Sequence, residues 1–368
     1  MALIHVVIPC YKVENFIEQA VLSVINQPYK GIDIVLVDDG SPDDTPRICD
    51  ELSQKFPSVH VVHQENGGLC AARNAGIDFV LKNLYCANAR EFIAFLDADD
   101  AWIPNVIDND LAQHLRTDWK EDVIGFSGVY SNFEMTRFSA PIANEEITNV
   151  KGAELIWKAQ AVHLGAKLYA IDLFIKWNLR FQHRQKYSED RIFMLQFYFL
   201  AESARMVKTP FYIYRKNKNG IMSSLMKMKA TDHYLPIIDG WRKCDHFLNA
   251  LVDSTGRYSE HGYTLAAAYL VEMVAEHYRK WGSRKEILSV LSVHPHYSYT
   301  QTPKQANFTK SSYKENRLLF ESPIIFEIKH RLAGIFIWLA WKLLNVPVVA
   351  TLWEKHKYPY TTTDWIAK

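Results

Sequence analysis

The chain has 368 residues, of which 48% are hydrophobic, enough for one large core or two to three smaller ones, which excludes disorder and a disulfide-stapled miniprotein. Lys and Arg number 42 against 41 Asp and Glu, so no global charge points to nucleic acid as a partner. The 5 cysteines are scattered and form no CxxC pair, which argues against a disulfide framework or zinc ribbon and fits a reducing compartment.

Leu3–Pro9 is a continuous apolar run with β-branched residues and reads as a buried strand. It has no basic leader and is too short for a signal peptide, so a cytoplasmic location is expected. Phe16, Ile17, Ala20, Val21 and Val24 follow at helical spacing within Val13–Gln27. A second strand over Ile32–Val37 ends in Asp38-Asp39-Gly40-Ser41. Thr45 before Pro46 looks like a helix N-cap with proline behind it, opening a helix through Phe56. Val59–Val62 is a third strand, Leu69–Leu81 a third helix and Phe92–Leu96 a fourth strand. Strands and helices that alternate in this way predict a parallel sheet covered by helices on both faces.

After Asp110 the rhythm loosens. Val123–Tyr130 reads as a strand, Asn144–Lys151 as a loop, Lys151–Ala161 as helical, Ala166–Ile171 as extended, Glu189–Ala201 as helical and Met206–Arg215 as a strand. Helical patterns dominate from Thr231 onward, including Tyr263–Trp281. The boundaries expected fall at 1–110, 111–226 and a helical region over 227–368. Leu332–Trp353 carries a single charge, Lys342, with basic residues on both flanks. On a helix, Glu327, Arg331, Gly334, Trp338, Lys342 and Asn345 form one stripe opposite a broad apolar face. Contact of 327–353 with a membrane surface and packing against the protein's own core both stay open; Pro347 and Lys342 weigh against a full span.

Ligands of a parallel α/β sheet bind outside the carboxyl ends of its strands. Strand one ends in Pro9-Cys10-Tyr11-Lys12, strand two in Asp38-Asp39, and strand four in Asp97-Ala98-Asp99-Asp100, all on one rim. Carboxylates at the tips of buried strands are costly unless hydrogen-bonded or metal-bound, so this rim calls for a cation or a set of donors. Helix capping is the competing account; it suits Asp43 or Asp44 and Asp39 alone, but not the cluster after Phe92–Leu96. The first turn lacks G-x-G-x-x-G and the chain lacks a P-loop, which argues against a dinucleotide cofactor and a P-loop NTPase. A nucleotide held on an acidic rim needs a divalent metal for its pyrophosphate, and hard oxygen ligands suit Mg²⁺ or Mn²⁺.

The blocks IPCYKVENFIEQAVLSVINQ, IVLVDDGSPDDT, ENGGLCAARNAG and IAFLDADDAW, in this order over 3–110, resemble the catalytic domain of glycosyltransferase family 2, of GT-A fold. A looser likeness runs through GAKLYAIDLFIKWNLRF, YSEDRIFMLQ and PFYIYRKNKNGIMSS to Ser224; beyond about Met226 there is none. The resemblance implies an α/β GT-A domain, Rossmann-like and mainly parallel, with a helical C-terminal extension. It implies that Pro9, Tyr11 and Glu14 border the base pocket, that Asp39 accepts from the base edge beside Asp38, and that Gly67 (with Gly68) and Arg73 approach the nucleotide. Asp97-Ala98-Asp99 would be the D-x-D motif, with Asp97 toward ribose and metal and Asp99 a direct metal ligand. Glu189-Asp190 would be the E-D motif, Asp190 the catalytic base, and Arg215 part of a segment over the donor. Lys12 and Pro28 depart from the commonest form of the family but remove no carboxylate.

These roles suit the chemistry of sugar transfer. A departing diphosphate gathers negative charge that a cation neutralises, and the attacking hydroxyl needs a base on the opposite face of the sugar. A charged first helix turn with Ser188 as N-cap is the structural alternative for Glu189-Asp190. The expected function is an inverting, metal-dependent transferase that uses Mn²⁺ or Mg²⁺ and moves a sugar from a UDP-sugar to a glycan or lipid-linked acceptor. Its setting would be cell-surface polysaccharide synthesis at the cytoplasmic face of the membrane. A nucleotidyltransferase and a non-catalytic binding module are the rivals.

Overall fold

The computed structural model describes residues 3–87, 90–117, 120–139, 141, 146–150, 163–185 and 187–217, together with 243, 360 and 361. The helices expected over Lys151–Ala161 and Tyr263–Trp281, and the 327–353 segment, lie outside these residues, as does nearly all of 227–368.

Four parallel strands form one side of the sheet: β1 (Ile4–Cys10), β2 (Ile32–Asp38), β3 (Val59–His63) and β4 (Phe92–Phe95), in the order β3-β2-β1-β4. β1 and β2 run in register from Ile4 opposite Ile32 to Cys10 opposite Asp38. α1 (Ile17–Ile25), α2 (Thr45–Lys55) and α3 (Leu69–Phe79) are the crossovers, and a single π-helical stretch, Val80–Leu84, follows α3. Alternate strand residues enter different cores, as the period of 2 requires. Val7, Val35, Val37, Ile93 and Phe95 join one apolar cluster; Val6, Ile8, Ile34, Leu36 and Ala94 join the other, on the face of α1 and α2.

The second half of the sheet is mixed. A short β5 (Ala101–Trp102) and α4 (Asn109–Thr117) lead into β6 (Val123–Ser131), β7 (Arg137–Phe138) and β8 (Ile147–Val150). β9 (Lys167–Ala170) is inserted antiparallel between β4 and β6. It runs straight into α5 (Ile171–Trp177), which the sequence pattern alone does not announce. α6 (Glu189–Leu200) precedes β10 (Ala204–Arg215), which pairs parallel with β6 and antiparallel with β5 and β8; β11 (Tyr360–Thr361) pairs with β7. Because β9 is antiparallel to both neighbours, β6 and β10 point the same way as β1, β2 and β4. The carboxyl ends of these five strands and the start of β9 therefore share one rim.

Two local expectations are corrected. Asn144–Lys151 is not simply a loop: Ile147–Val150 is a strand, because Ile147 and Val150 pair with Met206 and Ala204 of β10 and bury against it. Thr45 is the first residue of α2 rather than its cap, and Asp44 precedes it with no capping side chain. The Thr45 hydroxyl instead accepts from the Val13 backbone N–H (3.0 Å), tying the entry of α1 to α2.

α3 sits close against β1 and β2 because position 76 lacks a side chain. A Cβ there would lie 2.3 Å from Val7 Cγ1 and 3.3 Å from Val37 Cγ2. Alanine would add about 1 kcal/mol of helix propensity, but both valines are fully buried and have no room to yield. Overpacking should win: Gly76→Ala is expected to destabilise by about 1–3 kcal/mol in urea unfolding, and Val7→Ala in the same chain should recover part of the loss.

Candidate active site

The acidic rim is divided into groups that the protein itself satisfies and groups that it leaves available. Asp39 is buried at the tip of β2 and accepts from the backbone N–H of Gly67 and Gly68 (2.8 Å each) and from Gln64 Nε2 (2.6 Å). Gly68, at φ +86°, adopts a backbone conformation that favours glycine and leads directly into α3. Asp39 thus sets the ENGG loop. Asp38, also buried, accepts from the Ser41 N–H (3.0 Å) and shares a hydrogen bond with His63 (3.0 Å). Glu14 accepts from the Asp44 N–H (2.9 Å) across the α1–α2 junction. Pro9 is buried within β1 opposite Val37. Tyr11, just beyond it, is 44% exposed, with the Lys12 ammonium 5.3 Å from the centre of its ring.

The Asp97–Asp100 turn behaves differently at each position. Ala98 is buried. Asp100 is buried as well, accepting from the Tyr212 hydroxyl (2.9 Å) and the Arg215 N–H (2.8 Å). The Tyr212 hydroxyl also accepts from the Asp97 N–H (3.1 Å) and so closes the turn. Asp99 accepts from Asn217 Nδ2 (3.1 Å), while half of the Asp97 side chain faces solvent. Burial first, and the charge of Asp97 second, raise the Asp99 carboxyl above its ordinary range. Burial also raises Asp100, with Asp99 and Asp97 adding to it. Arg215 spans this turn: Nε donates to the Asp99 carbonyl (2.6 Å), Nη1 to the Phe133 carbonyl (2.6 Å) and Nη2 to Gln19. Its guanidinium lies 5.1 Å from the centre of the Phe16 ring.

Arg73 joins the two halves. Its side chain, 3% exposed, donates from Nη2 to Asp97 Oδ1 (2.8 Å) and from Nη1 to Glu189 Oε1 (3.0 Å). Burial works against its charge, but Asp97 and Glu189 outweigh it and hold the guanidinium protonated. Glu189 is pushed up to about 7, by burial foremost and then by the neighbouring charge of Asp190, against the pull of Arg73. Asp190 lies beside it in the first turn of α6, where its Oδ1 accepts from the Arg191 N–H (2.7 Å). Ser188 takes the N-cap position in a left-handed conformation, φ 55°, without a side-chain cap bond. Cys70 is a small buried residue, its Sγ donating to the Gln185 carbonyl (3.3 Å).

Asp97, Asp99, Arg73, Glu189 and Arg215 therefore form one connected group, while Asp38, Asp39 and Glu14 face protein donors. Tyr212 and Asn217 join this group, and Gln64 joins the Asp39 loop; the first two lie in the PFYIYRKNKNGIMSS block and Gln64 directly before ENGG, but sequence alone singled out none of them. Among the described residues, no three His, Cys, Asp or Glu side chains converge as a metal-holding group.

Residues 5–166 match the family described as Glycosyl transferase family 2. The uncharacterized glycosyltransferase EpsJ of Bacillus subtilis is 30% identical over 241 residues, 63% of this chain and 66% of EpsJ. Glycosyltransferase GlyG of Streptococcus pneumoniae is 30% identical over 231 residues, 60% of this chain and 73% of GlyG. The chain belongs to glycosyltransferase family 2. The match to EpsJ leaves about a third of that relative uncovered. The crystal structure of S. aureus TarS 1-349 in complex with UDP-GlcNAc shares the fold, with a TM-score of 0.53 and 19% identity over 86% of this chain and 90% of that one. The architecture is thus a family 2 GT-A fold: a mixed sheet with helices on both faces.

Two outcomes test this family 2 site. Arg73→Leu strands Glu189 in a buried position, so a loss of about 3–5 kcal/mol is expected in denaturant unfolding, and the double variant Arg73→Leu/Glu189→Leu should lose less. Glu189 binds its proton more tightly folded than unfolded, so its contribution is complete below about 4.5 and lost as pH rises through about 7. Wild-type stability measured against Glu189→Gln should accordingly fall across that window; a difference flat with pH would contradict the assignment.

Proposed function

We propose that the chain is an inverting glycosyltransferase that moves a sugar from a UDP-sugar onto a hydroxyl of a glycan or a lipid-linked acceptor. The observation that carries this reading is the Arg73 bridge, which brings the half-exposed Asp97 and the Glu189-Asp190 pair to opposite ends of one guanidinium. A nucleotidyltransferase has no use for a second acidic pair at that position. TarS, which shares the fold, is crystallised with UDP-GlcNAc, which supports a uridine nucleotide as the first donor to test.

A divalent cation, Mn²⁺ or Mg²⁺, would be held by Asp99 and Asp97. The fit rests on charge: Asp97 is half exposed and paired through one oxygen with Arg73, and burial followed by the charge of Asp97 raises the Asp99 carboxyl, which a cation between them would relieve. The lack of a third ligating side chain among the described residues suits an ion that takes its remaining ligands from phosphates and water. When bound, such an ion supplies Lewis-acid neutralisation of the departing diphosphate.

The chain's own groups do the rest. Asp190, in the first turn of α6, takes the proton of the acceptor hydroxyl as its oxygen bonds to the anomeric carbon and the bond to the diphosphate breaks. A single displacement with one base inverts that centre. Glu189 holds Arg73, and Arg73 keeps Asp97 oriented at the rim. Tyr11 offers a ring face to the base, and Arg215 closes the turn from above. The acceptor belongs to cell-surface polysaccharide synthesis, and the work is done at the cytoplasmic face of the membrane, where the apolar side of 327–353 would meet lipid. No helix among the described residues is long and apolar enough to cross a membrane.

The test combines binding and turnover. UDP-GlcNAc should raise the melting temperature only with Mn²⁺ present, since a ligand of the folded state stabilises it. Asp99→Ala should abolish the shift. Asp190→Asn should keep it while turnover drops by about 10²–10⁴-fold. A shift indifferent to metal, or unchanged turnover in Asp190→Asn, would sink the proposal.

A further inference from the structure

The same rim carries a feature that the donor chemistry does not use: a ladder of aromatic rings leading away from the Asp97–Asp100 turn. Tyr212 and Tyr214 leave β10 on the same side, with ring centres 4.4 Å apart. Next comes His163, 4.1 Å from Tyr214, and Tyr130 at the end of β6, 5.7 Å from Tyr214. The Tyr130 hydroxyl and His163 Nε2 share a hydrogen bond of 3.1 Å. Two glycines make room for the ladder. A Cβ at Gly165 would lie 2.2 Å from the Tyr212 ring, and one at Gly128 would lie 2.7 Å from the Tyr214 ring, so both tyrosines lie against bare backbone.

The inner end of the ladder touches the reacting groups, because the Tyr212 hydroxyl bonds to the Asp97 N–H and to Asp100. The Tyr214 hydroxyl is buried with no hydrogen-bond partner among the described residues, and the charges of Asp97 and Asp190 reach it. A buried hydroxyl without a partner calls for one from a ligand or water. The outer end is open: Tyr130 is 39% exposed, yet its ring is held by His163 and Tyr214. An exposed aromatic fixed in this way is preorganised, so little side-chain freedom is lost when something lies on it.

Charge narrows the class of ligand. Burial, reinforced by Lys167 and Arg191, takes the His163 imidazole down to about 4, so the ring is neutral at physiological pH. Lys167 is itself fully buried and donates to the His163 carbonyl rather than outward. The wall therefore presents flat ring faces rimmed by hydroxyl and neutral imidazole groups. A pyranose ring is complementary to it, with an apolar C–H face and a polar edge; an acyclic polyol, which has no such face, is not.

We propose that Tyr130, His163 and Tyr214 form the acceptor subsite, and that Tyr130 stacks on a neutral pyranose ring whose hydroxyl is thereby presented to Asp190. This rests on the transferase reading above and names the chemistry of its acceptor.

Saturation-transfer NMR on the 368-residue chain with Mg²⁺ and UDP tests it. The probes are the methyl β-pyranosides of glucose, galactose and N-acetylglucosamine, with ribitol as the acyclic reference. Saturation of the aromatic protons should pass to the ring C–H protons of at least one pyranoside and at most weakly to ribitol. Tyr130→Ala should reduce that transfer at least fivefold, Tyr130→Trp should keep it within twofold, and UDP affinity should stay within twofold in both. Transfer to no pyranoside, equal transfer to ribitol, or an unchanged signal in Tyr130→Ala overturns the subsite. A wild-type protein that fails to bind UDP overturns the donor reading instead, while spectra recorded without UDP still decide the stacking.

Discussion

A buried guanidinium between two carboxylates is the constraint on which the rest of the site depends. Arg73 belongs to α3, Asp97 to the turn after β4 and Glu189 to the first turn of α6, so one side chain fixes three elements relative to each other. Moving a guanidinium out of water is expensive, and only close, well-aligned anions offset that cost. Arg73 meets this requirement with two, at 2.8 and 3.0 Å. The converse also holds. Glu189 beside Asp190 in a largely buried position would be a repulsive pair without a cation facing it. The arrangement stores a charge balance that shifts whenever Asp97 is drawn toward another cation, because Arg73 is shared between the two acids.

The five carboxylates at the strand tips do not share one role. Asp38, Asp39 and Asp100 are buried, and the hydrogen bonds they accept fix, respectively, the Ser41 turn, the Gly67–Gly68 loop and the start of the segment after Arg215. A carboxylate accepting a backbone N–H on each oxygen, as Asp39 does, defines a loop far more tightly than a neutral side chain does. Asp97 and Asp99 are the ones with capacity left. The acidic rim is thus a frame of buried, hydrogen-bonded anions around Asp97 and Asp99, which are held through one oxygen each by Arg73 and Asn217, and the frame gives the pair its geometry.

Much of this was legible from residue order, for a physical reason. β1, β2 and β4 are buried almost throughout, so they appear as mainly apolar runs, and the polar residues that end them are at the rim; β3, at the end of the strand order, is fully buried only at Val59. β5, β7 and β8 are 2 to 4 residues long and owe their existence to partners distant in sequence, such as Met206 for Ile147. No local period can announce them. The insertion of β9 antiparallel between β4 and β6 was hidden for the same reason, and so was α5, which begins at the residue after β9 ends. In the site, Asp97 and Asp99 stand out because they follow a buried strand at once. Tyr130 and His163 do not, and Tyr214 shows only as the neighbour of Arg215 in the segment likened to a donor-closing one; strand register places it opposite Tyr130 across β6 and β10. The faint signal was glycine inside a strand, at 128, where a backbone approached by a ring leaves no room for a side chain.

Tyr212 shows how the two halves of the site are coupled. Its hydroxyl accepts from the Asp97 backbone and donates to Asp100, while its ring begins the aromatic ladder. Rotating the Asp97 turn therefore pulls on the ring that Tyr214 leans against, and repacking the ladder pulls on the turn. Tyr212 and Asp100 are buried, and close-packed interiors transmit such displacements instead of absorbing them. The carboxylates are fixed by short hydrogen bonds and cannot vary without collapse of the loops they hold. The outer rings, in contrast, are fixed only by packing and by one hydrogen bond at Tyr130. Changes of ligand preference are thus cheapest at the outer end of the ladder, where a ring can be exchanged while the Arg73 bridge and the Asp97–Asp100 turn stay as they are.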